Sequence, residues 1–142
     1  MKNDLTRLTD LFFSMHWNIE EEKPSWDFSW SFIGPVPNYL LGGVYALLRD
    51  EEIIYIGLGA SRGGGIYKDR GISRRLMSHV YRTAPKDSEF NAELRERWKD
   101  LGVNKVATIG FSPERNYLAA ALEDFLIGKI NPVANAVKKH NK

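Results

Sequence analysis

Two β-rich runs separated by a short acidic turn constrain the fold of this chain more than any other feature. Residues 43–49 read GVYALLR and residues 52–57 read EIIYIG, with Asp50 and Glu51 between them. Runs rich in β-branched and aromatic residues on both sides of so short a turn predict an antiparallel hairpin. The hairpin therefore predicts a sheet as the centre of the fold.

Apolar residues at helical spacing predict four helices around this hairpin. The predicted helices cover residues 4–15, 73–83, 88–101 and 112–129. Ser73 is the expected N-cap of the second helix, and Phe90, Leu94, Trp98 and Leu101 are expected on one face of the third. Ser112-Pro113-Glu114 has the features of a helix start, because serine caps, proline suits the first position and an acid favours the first turn.

Alternating residues predict two further extended segments. Residues 103–111 predict a third strand, and the strict alternation of SWDFSWSF at residues 25–32 predicts a half-buried strand or an extended arm. The expected class is α/β, in its α+β form, with a small, mostly antiparallel three-stranded central sheet flanked by helices. Residues 1–40 would form an N-terminal helix and aromatic arm, and residues 41–142 a single globular unit.

The composition excludes several kinds of site. The chain has 142 residues, 43% of them hydrophobic, which suits one folded domain. It has no cysteine, which excludes disulfides, cysteine-ligated zinc, iron–sulfur clusters and a thiol nucleophile. No apolar run approaches the length of a membrane span, so a cytoplasmic protein without membrane partners is expected.

The charge is divided unevenly along the chain. Residues 1–60 hold 4 basic and 9 acidic side chains, whereas residues 61–142 hold 16 basic and 9 acidic ones. Between Arg62 and Arg82 there are six basic residues and one acid, Asp69. A segregated basic segment is typical of a phosphate-rich partner such as nucleic acid, although solvated basic helix faces are also common.

A set of polar residues follows the hairpin in a recognisable order. The hairpin carries Gly43-Val44-Tyr45 on one strand and Tyr55-Ile56-Gly57 on the next; later come Arg75, His79, Glu123 and Asn135. Over about residues 42–136 this set resembles the GIY-YIG nuclease superfamily. The stretch from Tyr55 to Arg75 is about ten residues longer than in compact members, and the first 40 residues lie outside the compact module.

The resemblance implies a metal-dependent endonuclease that hydrolyses DNA phosphodiester bonds, one strand per active site. Glu123 would hold one Mg²⁺ or Mn²⁺, and Arg75 would contact the phosphate. Tyr45 would orient or deprotonate the attacking water, with His79 taking the proton onward; Tyr55 would be the second hydroxyl, and the two tyrosines could exchange roles. Asn135 would position a phosphate or pin the closing loop. The expected nucleic-acid-binding residues are Arg62, Lys68, Arg70, Arg74 and Arg82.

The geometry of the strands adds a condition. Side chains alternate along a strand, so a two-residue turn that pairs Arg49 with Glu52 would put the two tyrosines on opposite faces. For both hydroxyls to share one cleft, the hairpin needs a loop with an odd number of residues or a β-bulge.

Other interpretations are compatible with the same residues. The tyrosines could simply pack the sheet, and His79 and Arg75 could be solvated helix residues. The chain could also be a catalytically inactive nucleic-acid-binding module or an RNA-directed nuclease.

Because one site cuts one strand, cleavage of a duplex would require a homodimer or sequential nicking.

Overall fold

The predicted hairpin lies at the centre of a three-stranded antiparallel sheet. The computed structural model describes residues 2–59 and 71–135. Strand β1 spans Gly42–Arg49, β2 spans Glu52–Gly59 and β5 spans Lys105–Phe111, in the order β2-β1-β5. At the hairpin turn, Asp50 adopts a φ of 54°, and its backbone N–H donates to Asn104 Oδ1 at 2.9 Å. The expectation of a small antiparallel central sheet is confirmed.

Four helices are present in the described residues. They are α1 (Lys2–His16), α2 (Gly71–His79), α3 (Glu96–Asp100) and α4 (Tyr117–Ile130). The predicted start at Ser112 begins with a 3₁₀ turn, Pro113–Arg115, before α4. Helix α4 ends at Ile130, because Asn131 adopts a left-handed φ of 53° and Pro132 follows it.

Alternation along β1 divides the core into two buried clusters, one on each face of the sheet. Val44, Ala46 and Leu48 belong to the α1/α4 cluster, which also contains Leu5, Leu8, Phe12, Phe13, Ile53, Ile56, Ala107, Ile109, Phe111, Ala119, Leu122, Leu126 and Ile127. Tyr45 and Leu47 belong to the tyrosine-side cluster, with Trp30, Val36, Ile54, Ile72, Leu76, Val80, Tyr81, Ala92, Leu94, Trp98, Val103 and Val106. The N-terminal helix therefore shares its core with the hairpin.

The region after α2 differs from the prediction. The helix begins at Gly71, so Ser73 lies inside it, and it ends at His79 rather than residue 83. Strand β3 (Tyr81–Thr83) then pairs with β4 (Ala92–Leu94), so most of the helix predicted over residues 88–101 is wrong and only α3 remains of it. Pairing buries Ala92 and Leu94 on one face. Phe90 and Leu101 are exposed, so the helical spacing of these apolar residues was coincidental.

The alternating aromatic segment is an extended arm with a single β-bridge. Asp27 pairs with Thr108 of β5, and the Asp27 carboxylate then accepts hydrogen bonds from the backbone N–H and the hydroxyl of Ser29. This turn ends the pairing and redirects the chain. As a result, Trp26 and Phe28 pack on the α1/α4 cluster, whereas Trp30 and Phe32 join the tyrosine-side cluster.

Part of the predicted basic segment lies outside the described residues. Residues 60–70 are not described, and they include Arg62, Lys68 and Arg70 of the predicted nucleic-acid-binding set. Within residues 2–59 and 71–135, no helix has both the length and the apolar character needed to span a bilayer.

Candidate active site

A β-bulge in the hairpin brings the two tyrosines to one face of the sheet. Arg49 pairs with Glu52 and Leu48 with Ile53, but Leu47 pairs with Tyr55, which leaves Ile54 as an extra residue. Tyr45 is then opposite Gly57, and Tyr55 is on the same face, two pairs further along. The two phenol rings are 6.1 Å apart between centroids. The predicted requirement for a bulge is confirmed.

Gly57 makes room for the Tyr45 ring. A Cβ built on Gly57 would overlap the Tyr45 phenol, with Tyr45 Cε1 only 2.7 Å away. The ring therefore lies directly across the backbone of β2, where any side chain would displace it. The glycine of the Tyr55-Ile56-Gly57 triplet thus fixes the position of the tyrosine on the neighbouring strand.

Tyr45 is almost fully buried and hydrogen-bonded to Arg75 of α2. Burial raises the pKa of Tyr45 well above its usual range, and the charges of Tyr55 and Glu123 act in the same direction. The hydrogen bond and the positive charge of Arg75 lower this pKa without offsetting the effect of burial. Tyr45 is therefore a neutral phenol at neutral pH, in contact with a permanently charged guanidinium.

Glu123 is a buried carboxylate on α4. The residue is 8% exposed, and its charge influences the Tyr45 hydroxyl. Helix α4 packs through Leu122 and Leu126 on the opposite face of the sheet from the Tyr45 ring. The Glu123 charge therefore raises the pKa of Tyr45 from a helix that packs on the other face of the sheet.

His79 lies one turn after Arg75 at the end of α2. Its ring is exposed, yet its pKa is below the usual value, first because it loses part of its hydration and then because Arg75, Arg95 and Arg97 are nearby. A histidine with a lowered pKa is neutral at neutral pH and can accept a proton.

Arg82 is not on the helix face that the sequence predicted. It lies on β3, where its Nε donates to Glu93 at 3.0 Å and its Nη2 to Glu96 at 3.0 Å. Arg82 therefore joins β3 to β4 and α3, and its contact with nucleic acid stays a prediction. Arg74 is exposed on α2, next to Arg75.

Asn135 pins the chain after α4 to the outer edge of β2. Its Nδ2 donates to the Ile56 carbonyl at 2.9 Å, and its Oδ1 accepts from the Ile56 backbone N–H at 3.0 Å. The neighbouring Ala134 N–H donates to the carbonyl of the bulged Ile54 at 3.0 Å. Of the two expected roles of Asn135, these contacts favour pinning of the closing loop, because both ends of its amide are occupied.

Replacing Asn135 by alanine should destabilise the protein by about 2–4 kcal/mol, because a buried donor and a buried acceptor of Ile56 both lose their partner. Denaturant unfolding measures the loss, and native-state hydrogen exchange should show faster exchange of the Ile56 amide. The control is Asn104→Ala, which removes an exposed amide that also bonds a backbone N–H. Equal losses in the two variants would contradict the pinning role.

Three residues near this site were not predicted to belong to it. Trp98 of α3 is 2% exposed, its ring is 5.0 Å from that of Tyr55, and its Nε1 donates to the His79 carbonyl at 2.8 Å. Arg95 and Arg97 both precede Trp98 in the sequence, and their charges lower the pKa of His79. These residues come close to the candidate site because of the β3–β4 turn, which the apolar periodicity of the sequence did not predict.

A comparison of the chain with protein-family models, curated proteins and solved structures finds no match. The described residues also contain no cluster of three or more histidine, aspartate or glutamate side chains arranged to hold a metal ion. The geometry of the site is therefore the basis on which its function is argued.

Proposed function

We propose that this chain is a GIY-YIG-type endonuclease that hydrolyses DNA phosphodiester bonds in a metal-dependent reaction, cutting one strand per active site. The observation that carries the proposal is the bulge at Ile54, which puts Tyr45 and Tyr55 on one face of the hairpin. A hairpin without the bulge would separate them. The Arg75 hydrogen bond to Tyr45 and the nearby Glu123 charge support a common site.

Arg75 is suited to hold the scissile phosphate. A guanidinium is always charged and can donate two parallel hydrogen bonds to phosphate oxygens. Arg75 lies close enough to Tyr45 to influence its pKa and is itself exposed, so a phosphate could reach the guanidinium beside the phenol. We therefore assign Arg75 the binding of the phosphate and the stabilisation of the charge that develops on it.

Without a bound cation, burial keeps Tyr45 protonated, and a protonated phenol can orient the attacking water by hydrogen bonding. A divalent cation at Glu123 would lower the pKa of Tyr45, so deprotonation of the water by Tyr45 stays an alternative role. His79 is the better proton acceptor because its lowered pKa keeps it neutral near pH 7. Tyr55, half-buried on the same face, is the second hydroxyl of the site.

Glu123 fits the role of a metal ligand. Mg²⁺ prefers oxygen ligands and commonly binds through one carboxylate, with water and substrate oxygens in the remaining positions. Glu123 is a buried carboxylate whose charge influences Tyr45, and it would supply the one protein ligand that this arrangement needs. When bound, Mg²⁺ or Mn²⁺ would supply charge neutralisation at the phosphate and at the leaving oxygen.

The purified protein should cleave DNA in the presence of Mg²⁺ or Mn²⁺ and lose this activity in EDTA. The measurement uses labelled duplex, branched and single-stranded DNA, and the corresponding RNA, resolved on denaturing gels. Product that appears with the wild type and disappears with Arg75→Gln would support the assignment. Failure to cleave any of the substrates, or cleavage insensitive to EDTA, would overturn it, and cleavage of RNA alone would favour an RNA-directed nuclease.

A further inference from the structure

Several donors converge on the carbonyl groups that end α2. Arg95 Nη2 donates to the Met77 carbonyl at 2.6 Å, the Arg95 backbone N–H donates to the Val80 carbonyl at 2.9 Å, and Trp98 Nε1 donates to the His79 carbonyl at 2.8 Å. The end of a helix carries partial negative charge and normally disfavours an anion. Here these donors satisfy the carbonyl groups, so that the repulsion between the helix end and an anion is reduced.

Arg97 extends the positive charge away from α2. Its guanidinium lies 4.5 Å from the centre of the Trp98 ring, and the other neighbour of that ring is Tyr55. A guanidinium stacked on an indole is held in place yet keeps its N–H groups available. Arg97 is therefore one aromatic ring away from the candidate active site.

Two acids of this region, Glu93 and Glu96, are paired with cations. Glu93 and Glu96 are both hydrogen-bonded to Arg82, and Lys99 Nζ lies 3.8 Å from Glu96. Among the residues that the structure describes, Arg75, Arg95 and Arg97 form no ion pair with a carboxylate. Loss of hydration is the largest cause of the lowered pKa of His79, and the positive charges of Arg75, Arg95 and Arg97 add to it.

We propose that Arg75, Arg95 and Arg97 form a cationic strip around the neutral His79 ring and bind the nucleic-acid backbone, with Arg97 holding a phosphate next to the scissile one. This inference rests on the proposed function, because it takes the phosphate at Arg75 as the one that is cut. The strip leads from Arg75 past the end of α2 to Arg97 and defines the path of the strand away from the cut. A backbone phosphate is its ligand because the strip offers positive charge and N–H donors.

The test compares the salt dependence of DNA binding by Arg97→Gln and Lys99→Gln. Both variants remove one positive charge from α3, but the Lys99 charge is already paired with Glu96. Binding of labelled duplex is measured in EDTA, where no cleavage occurs, by fluorescence anisotropy at several salt concentrations. We expect Arg97→Gln to bind about five- to tenfold more weakly and to lower the slope of log K against log salt by about 0.9.

Lys99→Gln should retain the wild-type slope, and Arg97→Lys should recover most of it, because the charge is restored. A slope for Arg97→Gln equal to that of the wild type, or equal losses in the Arg97 and Lys99 variants, would overturn the inference. The two proposals are separable. Metal-dependent cleavage with no binding defect in Arg97→Gln refutes only the strip. A binding defect without cleavage by the wild type refutes the nuclease and the scissile phosphate at Arg75, and retains the strip as a nucleic-acid-binding surface.

Discussion

Replacing Glu123 by glutamine should lower the rate of DNA cleavage about a thousandfold and leave DNA affinity in EDTA unchanged. Glutamine keeps the size of the side chain and part of its hydrogen-bonding capacity but removes the negative charge. A metal ligand contributes several kcal/mol to the transition state, and about 4 kcal/mol corresponds to a thousandfold in rate. Single-turnover cleavage of the best DNA substrate measures the effect.

The matched control for this variant is Asp124→Asn. Asp124 is the next residue on α4 and is exposed. Its substitution by asparagine removes the same charge as Glu123→Gln, but outside the candidate site. Thermal unfolding of both variants shows whether the fold is kept. Cleavage by Glu123→Gln within tenfold of the wild type would show that this carboxylate holds no essential metal ion.

Replacing Gly57 by alanine should reduce both activity and stability, because the new methyl group would occupy the space of the Tyr45 ring. Overpacking of this kind costs about 1–3 kcal/mol. A ring displaced by about 1 Å can no longer orient the water, and misplacement on that scale costs about a hundredfold in rate. Denaturant unfolding and single-turnover cleavage measure the two effects separately.

A double-mutant cycle with Tyr45→Ala isolates the cause. Once the ring is absent, the methyl group at residue 57 has no phenol to displace, so the added cost of Gly57→Ala should fall below about 0.5 kcal/mol. The same cost in both backgrounds would mean that the alanine acts on β2 itself. In that case, Gly57 would not be the residue that positions Tyr45.

The hairpin and its irregularity could be predicted because both are local. The two β-rich runs fixed the strands, and the requirement that Tyr45 and Tyr55 share a face led to the bulge, which the structure has at Ile54. The central antiparallel sheet followed from the same pattern. The same hairpin also determines part of the candidate site, because it positions Gly57, Tyr45 and Tyr55.

The surroundings of α2 could not be predicted, because they depend on contacts between distant segments. Ala92-Glu93-Leu94 is too short to show the period of a strand, and the apolar residues on either side of it suggest a helix. Only the pairing of this segment with Tyr81–Thr83 makes it a strand. The same pairing brings Arg95 and Arg97 to His79. The raised pKa of Tyr45 is likewise a consequence of burial, which no local pattern of residues encodes.

The attachment of Asn135 to β2 limits how two copies of this protein could associate. An open sheet edge offers backbone groups that can recruit a strand from another molecule. On β2 the carbonyl of Ile54 and both backbone groups of Ile56 are already bonded to Ala134 and Asn135. At the other edge, β5 exchanges backbone hydrogen bonds with Asp27 through Thr108. These contacts occupy the middle of each sheet edge and so disfavour a dimer that merges two sheets into one.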